Sequence, residues 1–182
     1  MSGVLVVGMG DVDPELVDEA AAAAALWGPP VERIPALPEP AGARDAGRDQ
    51  WAVAPFLRDL NAALPEGALR ILGVTERDLF VPVLSFVFGQ AQMEGPAAVV
   101  SLARLRPEFY GLPPDPALLR ARARKEAVHE VGHTFGLVHC PHESCPMSLS
   151  VGVWQVDRKG EAPCRSCAAL ARGRAERARR AG

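Results

Sequence analysis

Apolar residues along this chain follow two patterns: short unbroken runs closed by glycine or proline, and longer stretches where they return every three or four positions. The first pattern marks buried strands, the second amphipathic helices. Val4, Leu5, Val6 and Val7 form a run closed by Gly8, which predicts a strand over Ser2 to Gly8. Asp13-Pro14 places an N-cap before a proline at the first helical position, so a helix is expected from Pro14 to about Trp27, ended by Gly28-Pro29-Pro30. Val31 to Ile34 reads as a second strand, and Pro35 to Gly47 as loop. Gln50 to Leu64 has helical spacing, with Pro55 either kinking the helix or marking its true start. Leu69 to Thr75, Leu84 to Gly89 and Ala97 to Leu102 are further strand candidates, with a turn at Glu94-Gly95-Pro96. Asp115-Pro116 repeats the capping signal and opens a long helix to about Phe135. Beyond Gly136 regular structure is sparse until a terminal helix over Cys167 to Arg180. Strands alternating with helices, with no repeat or long linker, give an α/β layout in a single domain over residues 1–182.

Composition adds little to that picture except at the two ends. With 182 residues, 48% hydrophobic and 23% charged, the chain can bury one real core. The net charge of −2 divides into +6 from Arg158 onward and −8 before it. The Ala- and Arg-rich tail reads as a solvated helix face, with contact to RNA or an acidic partner as the alternative. No dedicated nucleic-acid or membrane partner is expected. Met1 to Met9 is apolar but lacks a basic leader and is interrupted by Gly8, and Ala20 to Leu26 is too short to span a bilayer. A cytoplasmic location is therefore expected, where thiols stay reduced and cysteines serve metals more often than disulfides.

The chemistry is concentrated late in the chain. Three of the four histidines fall within eleven residues, as His129-Glu130-Val131-Gly132-His133-Thr134-Phe135-Gly136-Leu137-Val138-His139. On a helix, residues four apart lie about 40° apart around the axis, so His129 and His133 can share one metal. Glu130, about 100° from His129, is offset enough to act on water rather than to ligate. Gly136 can take the left-handed turn that ends the helix and swings His139 in as third ligand. Three neutral imidazoles leave zinc one open position, the mark of a catalytic site, and the spacing is the metzincin signature.

Four cysteines follow: Cys140, Cys145, Cys164 and Cys167. Two closely spaced pairs suit a closed, structural four-cysteine zinc site, with a Cys164–Cys167 redox pair and disulfides as the alternatives. His142 is expected in an exposed loop, with competition for the metal as the alternative. Met147, eight residues after His139, can form an apolar floor beneath the three-histidine site, with generic core filling as the alternative.

The run from His129 to His139, followed by Cys140, Cys145, Met147, Cys164 and Cys167, resembles the archaemetzincins. Upstream segments support the resemblance: Ile71 to Thr75 with Asp78-Leu79-Phe80, Phe86 to Gly89, and Ala98 to Leu105. It implies a metzincin-like zincin fold, with a twisted mixed sheet, one antiparallel edge strand over Leu84 to Ala91 lining the cleft, and an active-site helix. An upper α/β part would span residues 1–135. A lower part, 136–182, would hold the Met-turn, the four-cysteine zinc and the last helix. The function implied is zinc-dependent hydrolysis of a peptide or protein substrate with Glu130 as general base and two Zn²⁺ per chain. Aminopeptidase or endopeptidase action stays open, and the alternative is a latent, zinc-stabilised binding protein. Tyr110, the only tyrosine, precedes the helix, so none follows Met147 to support an oxyanion.

Overall fold

Unbroken apolar runs become central strands because both of their faces are covered. The computed structural model describes residues 3–181, so Ser2, the expected start of the first strand, lies outside them. In chain order the elements are β1 (Val4–Gly8), α1 (Pro14–Ala24), β2 (Val31–Arg33), β3 (Arg44–Asp45), β4 (Gln50–Ala52), α2 (Val53–Ala63), β5 (Arg70–Thr75), β6 (Leu79–Phe80), β7 (Gly89–Ala91), β8 (Ala97–Ser101), α3 (Pro116–Thr134), α4 (Val153–Arg158) and α5 (Arg165–Ala181). The main sheet runs β2-β1-β5-β8-β7, with β7 alone antiparallel to its neighbour. A small sheet, β3-β4-β6, lies apart from it.

Alternation along the strands divides the core in two. Val4, Val6, Leu72, Val74, Ala98 and Val100 pack with residues of α1 and α3. Leu5, Val7, Ile71, Ala97 and Val99 face the other way, against Phe56 and Leu60 of α2. The two expected N-caps hold: Asp13 accepts from the Glu15 N–H, and Asp115 accepts from the Leu118 N–H, each at 2.9 Å. The first helix tightens into a 3-10 turn at Ala25–Trp27 and stops at Gly28, as its sequence implies.

Several expectations are corrected. The stretch from Gln50 begins as β4, and α2 starts at Val53, which puts Pro55 in the first turn where its missing N–H costs nothing. The loop over 35–47 contains β3 and a bridge between Met9 and Leu37. The edge strand is shorter than Leu84 to Ala91. Only Gly89–Ala91 pairs with β8, because the Ser85 carbonyl accepts from Arg48 and Gln50 side chains, and Val87 bridges back to Leu79. The helix α4 lies in a stretch read as irregular, and α5 begins two residues before Cys167.

The tail is not wholly solvated: Cys167, Ala171 and Ala175 of α5 are buried in the main core, and Arg174 reaches Glu94 and the Phe135 carbonyl. No described helix is long and apolar enough to cross a membrane.

Candidate active site

α3 carries the chemistry because it runs through the molecule rather than over it. Arg122, Lys125, Glu126, His129 and Glu130 are all buried along one helix. Its end is a Schellman closure: the Gly136 N–H donates to the His133 carbonyl at 2.8 Å and the Leu137 N–H to the Gly132 carbonyl at 3.1 Å. Gly136 sits at φ 81°, a left-handed conformation that glycine adopts without steric cost. The chain then reverses, and His139 returns towards the helix.

The three imidazoles converge as the spacing requires. One nitrogen from each ring lies within 4.8 Å of the other two. The His129 Nδ1–H donates to the Pro146 carbonyl at 2.8 Å, and the His133 Nδ1–H to the Leu137 carbonyl at 2.6 Å. A carbonyl oxygen only accepts, so both rings carry their proton on Nδ1. Their Nε2 lone pairs then face each other at 3.0 Å, which is repulsive unless a cation lies between them. Ligands on a tetrahedral zinc stand about 3.3 Å apart, so the cluster fits that ion. Burial pushes His129 well below its ordinary value and lowers His133 and His139, leaving three neutral donors near pH 7.

Glu130 lies beside them at the inner wall of a cleft of about 610 Å³ that β7, the segment before it, and residues 149–151 also line. Burial, then the charge of Glu126 one turn earlier, holds its carboxyl well above the usual carboxylate range. A cation at the neighbouring imidazoles would draw it back down.

Two features escaped the sequence. Glu126 also lines the cleft, and its carboxylate accepts at 3.2 Å from Lys159, whose side chain is 0% exposed. Glu126 stands at helical spacing from Glu130, but Lys159 is brought in only by the tertiary fold. Gly89 of β7 touches Glu130 so closely that an added Cβ would lie 2.6 Å from the Glu130 Cγ and 2.7 Å from the Val99 carbonyl oxygen.

The four cysteines also gather, every Sγ within 4.8 Å of the others. Cys140 and Cys164 are 3.9 Å apart at sulfur, close to the separation of about 3.8 Å that Zn–S bonds of 2.3 Å impose. The Cys167 backbone N–H draws the Cys164 thiol down to about 7, while burial pushes Cys145 and Cys167 up. A cation among them would deprotonate the coordinating thiols outright. Cys140 and Cys145 stand within the same reach of Cys164 and Cys167, the arrangement a single four-sulfur site uses.

Met147 is buried, and its carbonyl accepts from the Cys140 N–H at 2.9 Å. His142 is exposed and belongs to neither cluster. Tyr110 does not line the cleft; its hydroxyl donates to the Arg104 carbonyl.

A mixed sheet with one antiparallel edge, a buried helix bearing two histidines, and a third histidine returning after a glycine turn define a metzincin-type zinc metallopeptidase. The sequence profile of peptidase family M54 matches residues 53–172, and the archaemetzincin of Methanocaldococcus jannaschii is 44% identical over 136 residues, 75% of this chain and 74% of that one. The chain belongs to peptidase family M54, the archaemetzincins.

Solved structures agree. The archaemetzincin of Methanopyrus kandleri superposes with a TM-score of 0.84 at 36% identity, covering 96% of both chains. A zinc-dependent peptidase of Methanocorpusculum labreanum does so with a TM-score of 0.82 at 29% identity, covering 93% of this chain and 100% of that one.

Proposed function

We propose that this chain hydrolyses peptide bonds with Glu130 as general base and with zinc held by His129, His133 and His139. The observation that carries the reading is the pair of Nε2 lone pairs turned on each other beside a buried carboxyl. Zinc bound there supplies Lewis acidity, which acidifies water and polarises a carbonyl. Glu130 takes the proton from the attacking water and returns it to the departing amine. The outer edge of β7, where the Ala91 carbonyl accepts from the Gln90 side chain, still offers main-chain groups at Gly89 with which an extended peptide pairs, aligning its carbonyl along the cleft. Of the cleft carboxylates, Glu130 is the base and Glu126 is engaged by Lys159. The upper part, 1–135, and the lower part, 136–182, act as one catalytic unit that closes around the cleft.

The test is metal restoration. Chelated protein loses cleavage of a mixed peptide library and regains it as zinc refills the three-histidine site. Equal product profiles with and without zinc refute the reading, and so does a His133→Ala variant that still cleaves normally.

Gly89→Ala puts a Cβ against both Glu130 and the Val99 carbonyl oxygen, so the Glu130 side chain is pushed aside and β7 shifts against β8. A misplacement of about 1 Å costs on the order of 10²-fold. The expected result is a kcat reduced by that order at wild-type zinc content. An unchanged kcat would show that Glu130 does not depend on this contact.

The four cysteines are proposed to hold a second, structural zinc. Cys164→Ser is expected to lose one zinc per chain and to lower the melting temperature, with the imidazole cluster still able to bind. Zinc stoichiometry equal to wild type, measured by elemental analysis, rejects the second site.

A further inference from the structure

Two segments of chain lead out of the cleft into a second cavity of about 210 Å³. His139 lines the cleft and the adjoining Cys140 and Pro141 line the cavity, while Leu149 lines both. The far wall of the cavity is α4, through Trp154, Gln155 and Arg158. Leu149 is 55% exposed, Val151 67% and Trp154 56%. Three large apolar side chains thus stand in water within six residues, Val151 on the cleft side, Trp154 on the cavity side and Leu149 on both. Apolar patches rimmed by polar groups serve as interaction sites. Among the described residues, the main-chain N–H and C=O of Leu149 and Ser150 have no partner within the protein. An extended chain crossing this ledge therefore meets free donors and acceptors as well as apolar surface. The charges nearby are spent on each other: Arg158 donates to Glu143 at 2.7 Å and sits 5.8 Å from the centroid of the Trp154 ring. Ser148 and Gln155, also in the lining, are engaged as well, Ser148 donating to the Glu143 carbonyl and Gln155 accepting from the Val151 and Gly152 N–H groups. The apolar surface left to a ligand is the indole, Leu149 and Pro141.

We infer that this cavity is a subsite for an apolar, preferably aromatic, side chain of the same peptide whose scissile bond lies at the histidine cluster, with Trp154 as a specificity-determining residue. The inference rests on the peptidase reading. It commits to the substrate's own chain as occupant because the cavity continues the cleft along the same two segments. Indole is a frequent anchor in such contacts, since it buries much area at little entropic cost.

The experiment uses zinc-loaded protein carrying Glu130→Gln, so that ligands stay intact. Lysine-capped alanine peptides, each with a single phenylalanine at a successive position, are titrated by calorimetry. At one position outside the residues flanking the central bond, phenylalanine is expected to tighten binding roughly tenfold or more. Trp154→Ala abolishes that gain and Trp154→Phe retains most of it. The inference is overturned if no position shows a gain that depends on residue 154, or if Trp154→Ala weakens every peptide equally. A melting curve for each variant shows that it is folded. Cleavage of the same peptides by the wild type is scored separately. Failure there removes the peptidase reading, while the binding series still decides the subsite.

Discussion

Replacing Glu130 with glutamine is expected to lower kcat for peptide hydrolysis by about 10²–10⁴-fold, the usual contribution of a positioned acid–base group. Glutamine keeps the shape that fits against Gly89 but cannot take a proton from water. Zinc content should equal that of the wild type, because the carboxyl is not among the three converging nitrogens. Steady-state kinetics on a cleaved peptide, with elemental analysis of the same sample, decide the matter; a kcat within a few-fold of wild type would remove Glu130 from the reaction.

The same variant has a stability signature with a definite sign. Burial raises the Glu130 carboxyl, so the folded chain binds that proton more tightly than the unfolded chain does. Raising the pH from the unfolded value of about 4.3 through the folded one therefore costs the wild type stability. With chelator present, Glu130→Gln should melt higher than wild type near neutral pH, and the gap should close as the pH falls towards that unfolded value. A wild type that melts higher than the variant at pH 8 contradicts this.

Lys159→Met should be the most damaging change outside the metal ligands. It leaves the Glu126 carboxylate buried without its partner, and breaking one side of a buried pair costs about 3–5 kcal/mol. The expected result is a urea midpoint shifted down at unchanged slope. Adding Glu126→Gln should recover most of the loss, since a neutral pair of similar size is tolerated. Burial outweighs Lys159 in setting the Glu126 carboxyl, which stands above its ordinary value. The single variant should accordingly regain stability in acid as Glu126 protonates. A double variant as unstable as Lys159→Met alone would mean that the lysine acts through packing, not charge.

What could be read in advance was whatever local chemistry dictates. Asp13-Pro14 and Asp115-Pro116 announce helix starts because capping needs only neighbours. The histidine spacing announces a metal because four residues make roughly one turn. The early end of the edge strand could not be read, since it depends on Arg48 and Gln50 claiming the Ser85 carbonyl from 37 and 35 residues away. Lys159 was invisible for a similar reason: a lysine after a short helix looks exposed until α4 docks against α3. α4 itself is a six-residue helix whose Gln155 side chain folds back to accept from the Val151 and Gly152 N–H groups just before it, a signal too slight to separate from loop. The exposed apolar ledge at Leu149 to Trp154 carries no helical or strand period, so nothing in the pattern marked it as surface.

The two clusters are tied together by the three residues Cys145-Pro146-Met147. One of them offers its thiol to the cysteine cluster, the next gives its carbonyl to the His129 ring, and the third gives its carbonyl to the Cys140 N–H. A cation in either cluster thus stiffens the backbone that aims ligands at the other. The two affinities should be linked by one coupling free energy, and linkage makes the effect reciprocal. Filling the sulfur cluster first would prepay the ordering of His129, making the order of metallation a property of the fold.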